Sequence, residues 1–467
     1  MKRRHVLAAI LILSGTQSYS TTAAQKSSPE APAIEALTDR SLASSEPVGS
    51  ARRGPLTEAE RAMAEIAWDY FENNVQERTG LANASDNYPS ATLWDIGSYI
   101  AAIISANGLD LINRTEAEAR LEPLLTSLER LQLFRDECPN KVYNTQTLRQ
   151  VDYRNNPGEI GCSAIDIGRL MIWLKAAQQR FPGTTGSVER ILTSWNFCRI
   201  VQEPGVLFGA AVGQQGESLY LQEGRLGYEE YAALGFRIWG FDVDEALDPE
   251  PLGSVWLYGV EIPFDRRDPR VLGAHNYVVT ESYALIGTEF GWNEVNQIAG
   301  PEIGDWIFRA AQNIYKAQVR RHQSTGIVTA RTEHQLAEAP YFVYDTIFSN
   351  GRPWATITER GEFSPQNAAV ASKGALGLWA LWDTDYTTLL FDHVAPHFAP
   401  GRGYYEGIFE DGRGPIPALT ANNNGIILST LLFKVQGPLL QDAGSVDASW
   451  TGNVPEDWVQ SRCLPRE

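Results

Sequence analysis

The chain alternates between two kinds of helical pattern. In the first, a polar, aromatic or acidic stretch runs straight into a helix of small and apolar residues. This pattern occurs six times: TLWDIGSYIAAIISA from Thr92, CSAIDIGRLMIWLKAA from Cys162, GYEEYAALGFRIWGF from Gly227, NYVVTESYALIGTEFGW from Asn276, SPQNAAVASKGALGLWALW from Ser364 and ALTANNNGIILSTLLF from Ala418. The helices are expected to begin near residues 92, 163, 227, 277, 365 and 421. The second pattern is a more polar helix with a single apolar stripe. TEAERAMAEIAWDYFENN has a Thr57 cap, first-turn acids and apolar residues at Ala62, Ile66, Tyr70 and Val75. TEAEARLEPLLTSLERLQLF repeats that opening from Thr115, and further polar helices fit 187–201, 304–322 and 385–394. The pattern weakens over 244–257, where Pro249 and Pro251 interrupt it.

Six small-residue helices alternating with polar ones predict an all-α fold, an (α/α)6 toroid of six helical hairpins. In such a toroid the segments leading into the inner helices gather at one end and build a cleft. No strand–helix–strand rhythm occurs, which disfavours a doubly wound sheet. The stretch from Gly326 to Gly361 mixes β-branched and aromatic residues and predicts a small β-excursion or lid over the cleft. PGRGYYEGIFEDGRG from Pro400 reads as a surface loop near the same mouth.

The first 24 residues read as a secretory signal. Lys2, Arg3, Arg4 and His5 precede the apolar run Val6–Leu13, and Thr22-Ala23-Ala24 offers a cleavage site before Gln25. The run is too short to span a membrane. Residues 25–55, rich in Ser, Ala, Pro and Glu, read as a disordered linker, and 56–467 as one domain. The mature protein is therefore expected to be periplasmic or secreted.

Cleavage would remove Lys2, Arg3 and Arg4, making a net charge already at −18 more negative still. A chain this acidic excludes non-specific nucleic-acid binding and disfavours anionic membrane surfaces. Export permits disulfides, and Cys138, Cys162, Cys198 and Cys463 allow three pairings. A Cys138–Cys162 bridge would pin a polar loop at the cleft; buried free thiols are the alternative.

The chain holds no P-loop, dinucleotide-binding, zinc-protease or nucleophile-elbow motif. His393 and His397 are four apart but separated by Pro396, so no metal site and no cofactor are expected. What remains is carboxylates and aromatics at the starts of the small-residue helices. Glycoside hydrolysis needs this kit: one carboxyl held protonated as acid, and a second acting on water or the sugar. Glu229 and Glu230 are adjacent acids flanked by Tyr228 and Tyr231, so one is a candidate acid; both also suit a helix first turn. Glu281 and Asp345 lie in apolar, aromatic surroundings and are candidates for the second role. Asp95 and Asp166 either bind sugar hydroxyls or merely cap their own helices, since Thr92-Leu-Trp-Asp95 and Ser163-Ala-Ile-Asp166 match the capping pattern. Trp94, Tyr228, Trp292 and Trp354 are candidate stacking surfaces for pyranose rings. Glu406 and Asp411 read as ordinary surface charge. A competing constellation, His275-Asn276-Tyr277, would suit a polysaccharide lyase.

From Trp68 to about Pro438 the chain resembles the bacterial family called domain of unknown function 3131. The resemblance rests on AWDYFENNVQERTGLANASDNYPSATLWDIGSYIAAI, SAIDIGRL, EGRLGYEEYAALGF, ESYALIGTEFGW, PYFVYDTIFSNGRPWATIT and the Asn-rich final helix. It implies an (α/α)6 barrel and kinship with the bacterial glucoamylase-like domain, whose members include endo-β-1,2-glucanases. The expected activity is hydrolysis of a bacterial glucan or exopolysaccharide, with a poly- or oligosaccharide as partner. A non-catalytic polysaccharide-binding or export factor is the alternative that the same scaffold allows.

Overall fold

Several helices begin on a cap that the sequence spells out. In the computed structural model, which describes residues 49–249, 251–267, 277–440 and 448–466, the Thr57 hydroxyl accepts the Glu60 N–H and the Glu60 carboxylate accepts the Thr57 N–H. This reciprocal cap starts α1 (Glu58–Asn74). The other helices are α2 (Leu93–Gly108), α3 (Arg114–Leu128), α4 (Ala164–Arg180), α5 (Thr185–Ser194), α6 (Tyr228–Arg237), α7 (Asp244–Leu247), α8 (Glu281–Leu285), α9 (Trp292–Ala299), α10 (Pro301–Thr325), α11 (Ser372–Leu381), α12 (Asp385–Val394), α13 (Ala421–Gln436) and α14 (Glu456–Arg462). A π-type turn over Ile286–Phe290 extends α8.

Helices α2, α4, α6, α8, α11 and α13 contact one another in a closed cycle, the last returning to the first. These are the six small-residue segments, and their composition has a packing reason. A Cβ on Gly168 would lie 2.7 Å from Ala232, and one on Gly235 would lie 2.3 Å from the Gly168 carbonyl oxygen, so α4 and α6 approach through bare backbone. Gly425 does the same for α13 against Ser98 of α2, at 2.7 Å. Larger residues would force neighbouring helices apart and open the cycle. The polar helices lie outside it: α1 against α13 and α2, α3 against α2, α5 against α4, α10 against α8, and α12 against α11.

Three expectations change. The interrupted stretch 244–257 forms only the single turn α7 and then a hairpin, Leu252–Leu257 paired with Val260–Asp265. Its alternating β-branched and aromatic residues suit a strand better than a helix. The fifth ring helix starts at Ser372 rather than near 365, because Ala369–Ala371 is extended and pairs with Gly407–Phe409. Residues 49–55, read as linker, are tied down: the Arg52 N–H bonds the Ala380 carbonyl and the Gly54 N–H that of Lys434, both at 3.0 Å. The signal and most of the linker lie outside the described residues.

The stretch from Gly326 to Gly361 does form a small sheet, His334–Gln335, Phe342–Asp345 and Thr356–Thr358, in that order. Two disulfides are present, Cys138–Cys162 and Cys198–Cys463. The first closes the polar loop in front of α4, and the second ties the end of α14 to the segment after α5.

Candidate active site

Five of the six ring helices send residues from their N-terminal ends into one pocket, and Tyr277 reaches it from the segment just ahead of the sixth, α8. Thr92, Trp94 and Asp95 come from α2, Ile165 and Asp166 from α4, and Arg225 and Tyr228 from the start of α6. Tyr277 precedes α8, Lys373 opens α11, and Thr420 and Asn422 open α13. The rest of the wall is supplied by Gln335, Phe342 and Tyr344 from the small sheet, Glu333 and Glu359 from its flanks, Tyr153 from the disulfide loop, and Glu406 from the Gly-rich loop.

Asp95 and Asp166 occupy equivalent helix positions but make different bonds. Asp95 closes its own helix. Its Oδ2 accepts the Thr92 N–H at 3.0 Å and the Thr92 hydroxyl at 2.7 Å. At α4 the reciprocal bond goes elsewhere: Glu223 accepts the Ser163 hydroxyl at 2.9 Å and the Ile165 N–H at 3.0 Å. A carboxylate from a distant segment thus caps α4 and leaves the Asp166 carboxyl to face the pocket. Burial, and then the charges of Glu223 and Asp95, push Asp166 up to about 7 against the pull of Arg225 and Lys141. Burial raises Asp95 as well.

Glu333 reaches the pocket from just ahead of the sheet's first strand. Burial and the negative charge of Glu281 push its carboxyl up to about 7, opposed by Lys373, Arg225 and the Tyr228 phenol. Glu281 itself sits behind the wall, 2% exposed. Its Oε2 lies 2.5 Å from the Lys373 ammonium, and its Oε1 accepts the Asn422 amide at 2.9 Å.

One side of the pocket is aromatic. Trp94 meets Tyr228 at 5.5 Å between centroids, Tyr228 meets Tyr277 at 6.3 Å, and Tyr277 stacks on Tyr344 at 4.5 Å and 21°. Phe342 adds an edge-on contact to Tyr344 at 5.1 Å. Such a run offers faces for the C–H groups of a sugar ring, with carboxyl and amide groups nearby for its hydroxyls. The Trp94 indole N–H is held by Asn422 at 2.9 Å, and the Arg169 guanidinium lies 4.5 Å from the Trp94 ring centroid.

Of the residues singled out in the sequence, Trp94, Asp95, Asp166, Tyr228 and Tyr277 line the pocket, and Glu281 backs it. Others lie elsewhere. The Glu230 carboxylate accepts the Gly227 N–H at 2.5 Å and so caps α6, while Glu229 is buried beside it without lining the pocket. Asp345 accepts Arg331 at 2.8 Å, Thr356 at 2.6 Å and the Ala369 N–H at 2.8 Å. That set anchors the sheet to the segment leading into α11. Trp354 lies under the guanidinium of Arg321, at 4.7 Å. Trp292 packs on Trp382 and Phe308 in the helical core. Glu406 is not surface charge: it is 2% exposed, accepts the Thr420 hydroxyl and lines the pocket. His275 and Asn276 lie outside the described residues.

Glu333, Glu359, Tyr153 and Lys373 escaped the sequence reading. Lys373 carried a visible signal, a lone cation opening an apolar helix. The other three sit in loops and strands whose arrival at the ring depends on tertiary pairing. Among the described residues, no group of three or more His, Cys, Asp or Glu could hold a metal ion, and no helix is long and apolar enough to cross a membrane.

The model of the family described as "Protein of unknown function (DUF3131)" matches residues 62–437. No curated protein matches the chain. Several solved structures do. A glucoamylase-like protein of Bacteroides caccae ATCC 43185 has a TM-score of 0.58 at 12% identity, covering 86% of this chain and 98% of that one. An endo-β-1,2-glucanase from Chitinophaga pinensis, in complex with sophorotriose and glucose, gives 0.58 at 12%, with 87% and 97% covered. A mutant endo-β-1,2-glucanase from Talaromyces funiculosus, in complex with β-1,2-glucan, gives 0.54 at 13%, with 86% and 88% covered. At these identities the likeness is one of fold.

Proposed function

This chain belongs to the DUF3131 family, and we propose that it is an exported glycoside hydrolase acting on a bacterial glucan or related exopolysaccharide. In this reading the closed cycle of six helices is the inner ring of an (α/α)6 toroid, and the pocket at the N-terminal ends of its helices is the catalytic cleft. The observation that carries it is that Glu333 and Asp166 line the same pocket. Both are carboxyls with affinities for protons near neutrality, both line one aromatic-walled pocket, and they reach it from different parts of the fold.

Glu333, protonated, gives its proton to the glycosidic oxygen as the bond to the anomeric carbon breaks. Asp166, ionised, takes a proton from the attacking water. The oxygen of that water ends on the anomeric carbon and its second hydrogen stays there, so one bond is hydrolysed and both carboxyls exchange one proton. Asp95 and Asn422 are suited to sugar hydroxyls, and Trp94 and Tyr228 to pyranose faces. Glu229, Glu230 and Asp345 take structural roles in this reading. The aromatic run and the surplus of acids over Arg225 and Lys373 favour a neutral sugar over a uronate. The sugar complexes among the similar folds support the same class of ligand.

Export rests on the basic, apolar and small-residue order of residues 1–24, and two disulfides suit an oxidising compartment. The test is to incubate purified mature protein with a panel of bacterial glucans and exopolysaccharides, β-1,2-glucan included, and weigh the products. Oligosaccharides heavier by one water than the residues they contain support the reading. Unsaturated products with ultraviolet absorbance, or intact polymer throughout, overturn it.

A further inference from the structure

Resting on that reading, we propose that Arg169, Tyr231 and Glu289 form a positioning network for the sugar platform: buried at the centre of the helix ring, they fix the Trp94 ring from behind at the pocket floor.

None of the three lines the pocket. Arg169 comes from α4, Tyr231 from α6 and Glu289 from the π-type turn after α8, where the Gly291 N–H bonds the Ile286 carbonyl at 3.2 Å. Turns of this kind often sit at functional sites. The Arg169 guanidinium donates to the Tyr231 hydroxyl at 2.7 Å and to Glu289 at 3.2 Å, and Tyr231 donates to Glu289 at 2.6 Å. A buried ion pair is a poor stability device, because well-packed apolar residues of similar volume serve as well or better. What it does supply is one fixed geometry, since the guanidinium donors lie in a rigid plane.

That plane meets the pocket floor. Its central carbon lies 4.5 Å from the Trp94 ring centroid, so one face of the indole is backed by it. The Tyr231 ring packs on the same indole at 5.7 Å and 59°. A second guanidinium nitrogen donates to the Ser98 hydroxyl at 3.2 Å, Ser98 lies 3.1 Å from the Asn422 amide oxygen, and that oxygen accepts the indole N–H at 2.9 Å. The indole N–H can only donate, so this contact also fixes which way round the Asn422 amide sits. Both the backed face and the N–H of Trp94 are therefore tied to one guanidinium, while the half-buried ring still lines the pocket. A stacking surface already held in one orientation gives up little freedom when a pyranose settles on it, which favours binding.

The test reads Trp94 without substrate. In protein carrying fluorotryptophan, the Trp94 fluorine resonance is the one lost in Trp94→Phe. It is compared in the native protein, in Arg169→Met/Glu289→Gln, which leaves no charge unpaired, and in Arg169→Lys, which keeps the ion pair and loses the plane. Thermal melting checks that the variants are folded. The proposal expects one narrow line in the native protein and a broadened or split line in both variants. On the active glucan, both variants should raise KM by about tenfold and change kcat much less. Added to Trp94→Phe, the same substitutions should change KM little further, because the residue they act through is gone. A narrow, unsplit line in the folded variants overturns the proposal, and so does an equal rise in KM with and without Trp94. A disturbed line with no turnover on any glucan would uphold the positioning and sink the hydrolase reading instead.

Discussion

Arg169 lies beneath Trp94, its guanidinium carbon 4.5 Å from the ring centroid, and joins the pocket floor to the centre of the helix ring. The same guanidinium donates to the Tyr231 hydroxyl at 2.7 Å and to Glu289 at 3.2 Å, and Tyr231 donates to Glu289 at 2.6 Å. Both charged side chains are essentially inaccessible, at 1% and 0%. Removing one partner would strand the other in the core. Arg169→Ala should cost about 3–5 kcal/mol in a denaturant titration. Arg169→Met/Glu289→Gln should cost much less, because no charge is left unpaired.

Glu333→Gln should melt like the native protein and lose turnover by ~10²–10⁴-fold, the usual range for a general acid. The amide keeps the shape and cannot donate a proton of the right acidity. Full activity in this variant would transfer the acid role to another carboxyl of the pocket. Glu230→Gln should leave turnover close to native, since Glu230 caps α6.

In the proposed reaction Asp166 ties activity to pH, and its burial ties stability to pH as well. Its folded value, about 7, lies above the ordinary 3.8, so the native state binds its proton more tightly than the unfolded chain does. The protonated group's stabilisation is complete below about pH 4 and is lost as pH rises through 7. Asp166→Asn should therefore be more stable than the native protein at pH 8, and the gap should close toward pH 4. Melting curves across that range check the sign. Asp95→Asn removes a negative neighbour, lowers the Asp166 value and should shift the acidic limb of the activity profile to lower pH.

The Cys138–Cys162 bridge spans 24 residues and carries Tyr153 to the pocket, and Cys162 directly precedes the Ser163 cap of α4. Cys138→Ser/Cys162→Ser should lower stability by about 2–5 kcal/mol. It should also raise KM more than it lowers kcat, because Tyr153 is a wall residue and not a proton carrier. Steady-state kinetics below the melting range separates the two.

Much of the scaffold was legible in the chain because its signals are local. Capping residues mark α1, α2 and α4, and the small-residue stripes that predicted inner helices are the close contacts at Gly168, Gly235 and Gly425. The site was legible only where it sits on those helix starts, as Trp94, Asp95, Asp166 and Tyr228 do. Local patterning could not separate Asp95 from Asp166. The difference is made by Glu223, which replaces Asp166 at the cap from 57 positions further along the chain. Glu333 and Glu406 were missed for a related reason. Each looks like loop charge until the sheet at 334–358 and the pairing of 369–371 with 407–409 bring it against the ring. Conversely, Asp345 and Trp354 had the apolar surroundings of site residues, but Arg331 and Arg321 occupy them.

The most direct test of the central claim is hydrolysis in heavy-oxygen water, with the native protein and Glu333→Gln run side by side on the glucan panel. The account predicts oligosaccharides that carry one heavy oxygen for each bond cleaved, placed at the new reducing end, and little or no such product from Glu333→Gln. Unlabelled polymer of undiminished length from the native protein, or equal labelling by the two proteins, would contradict it.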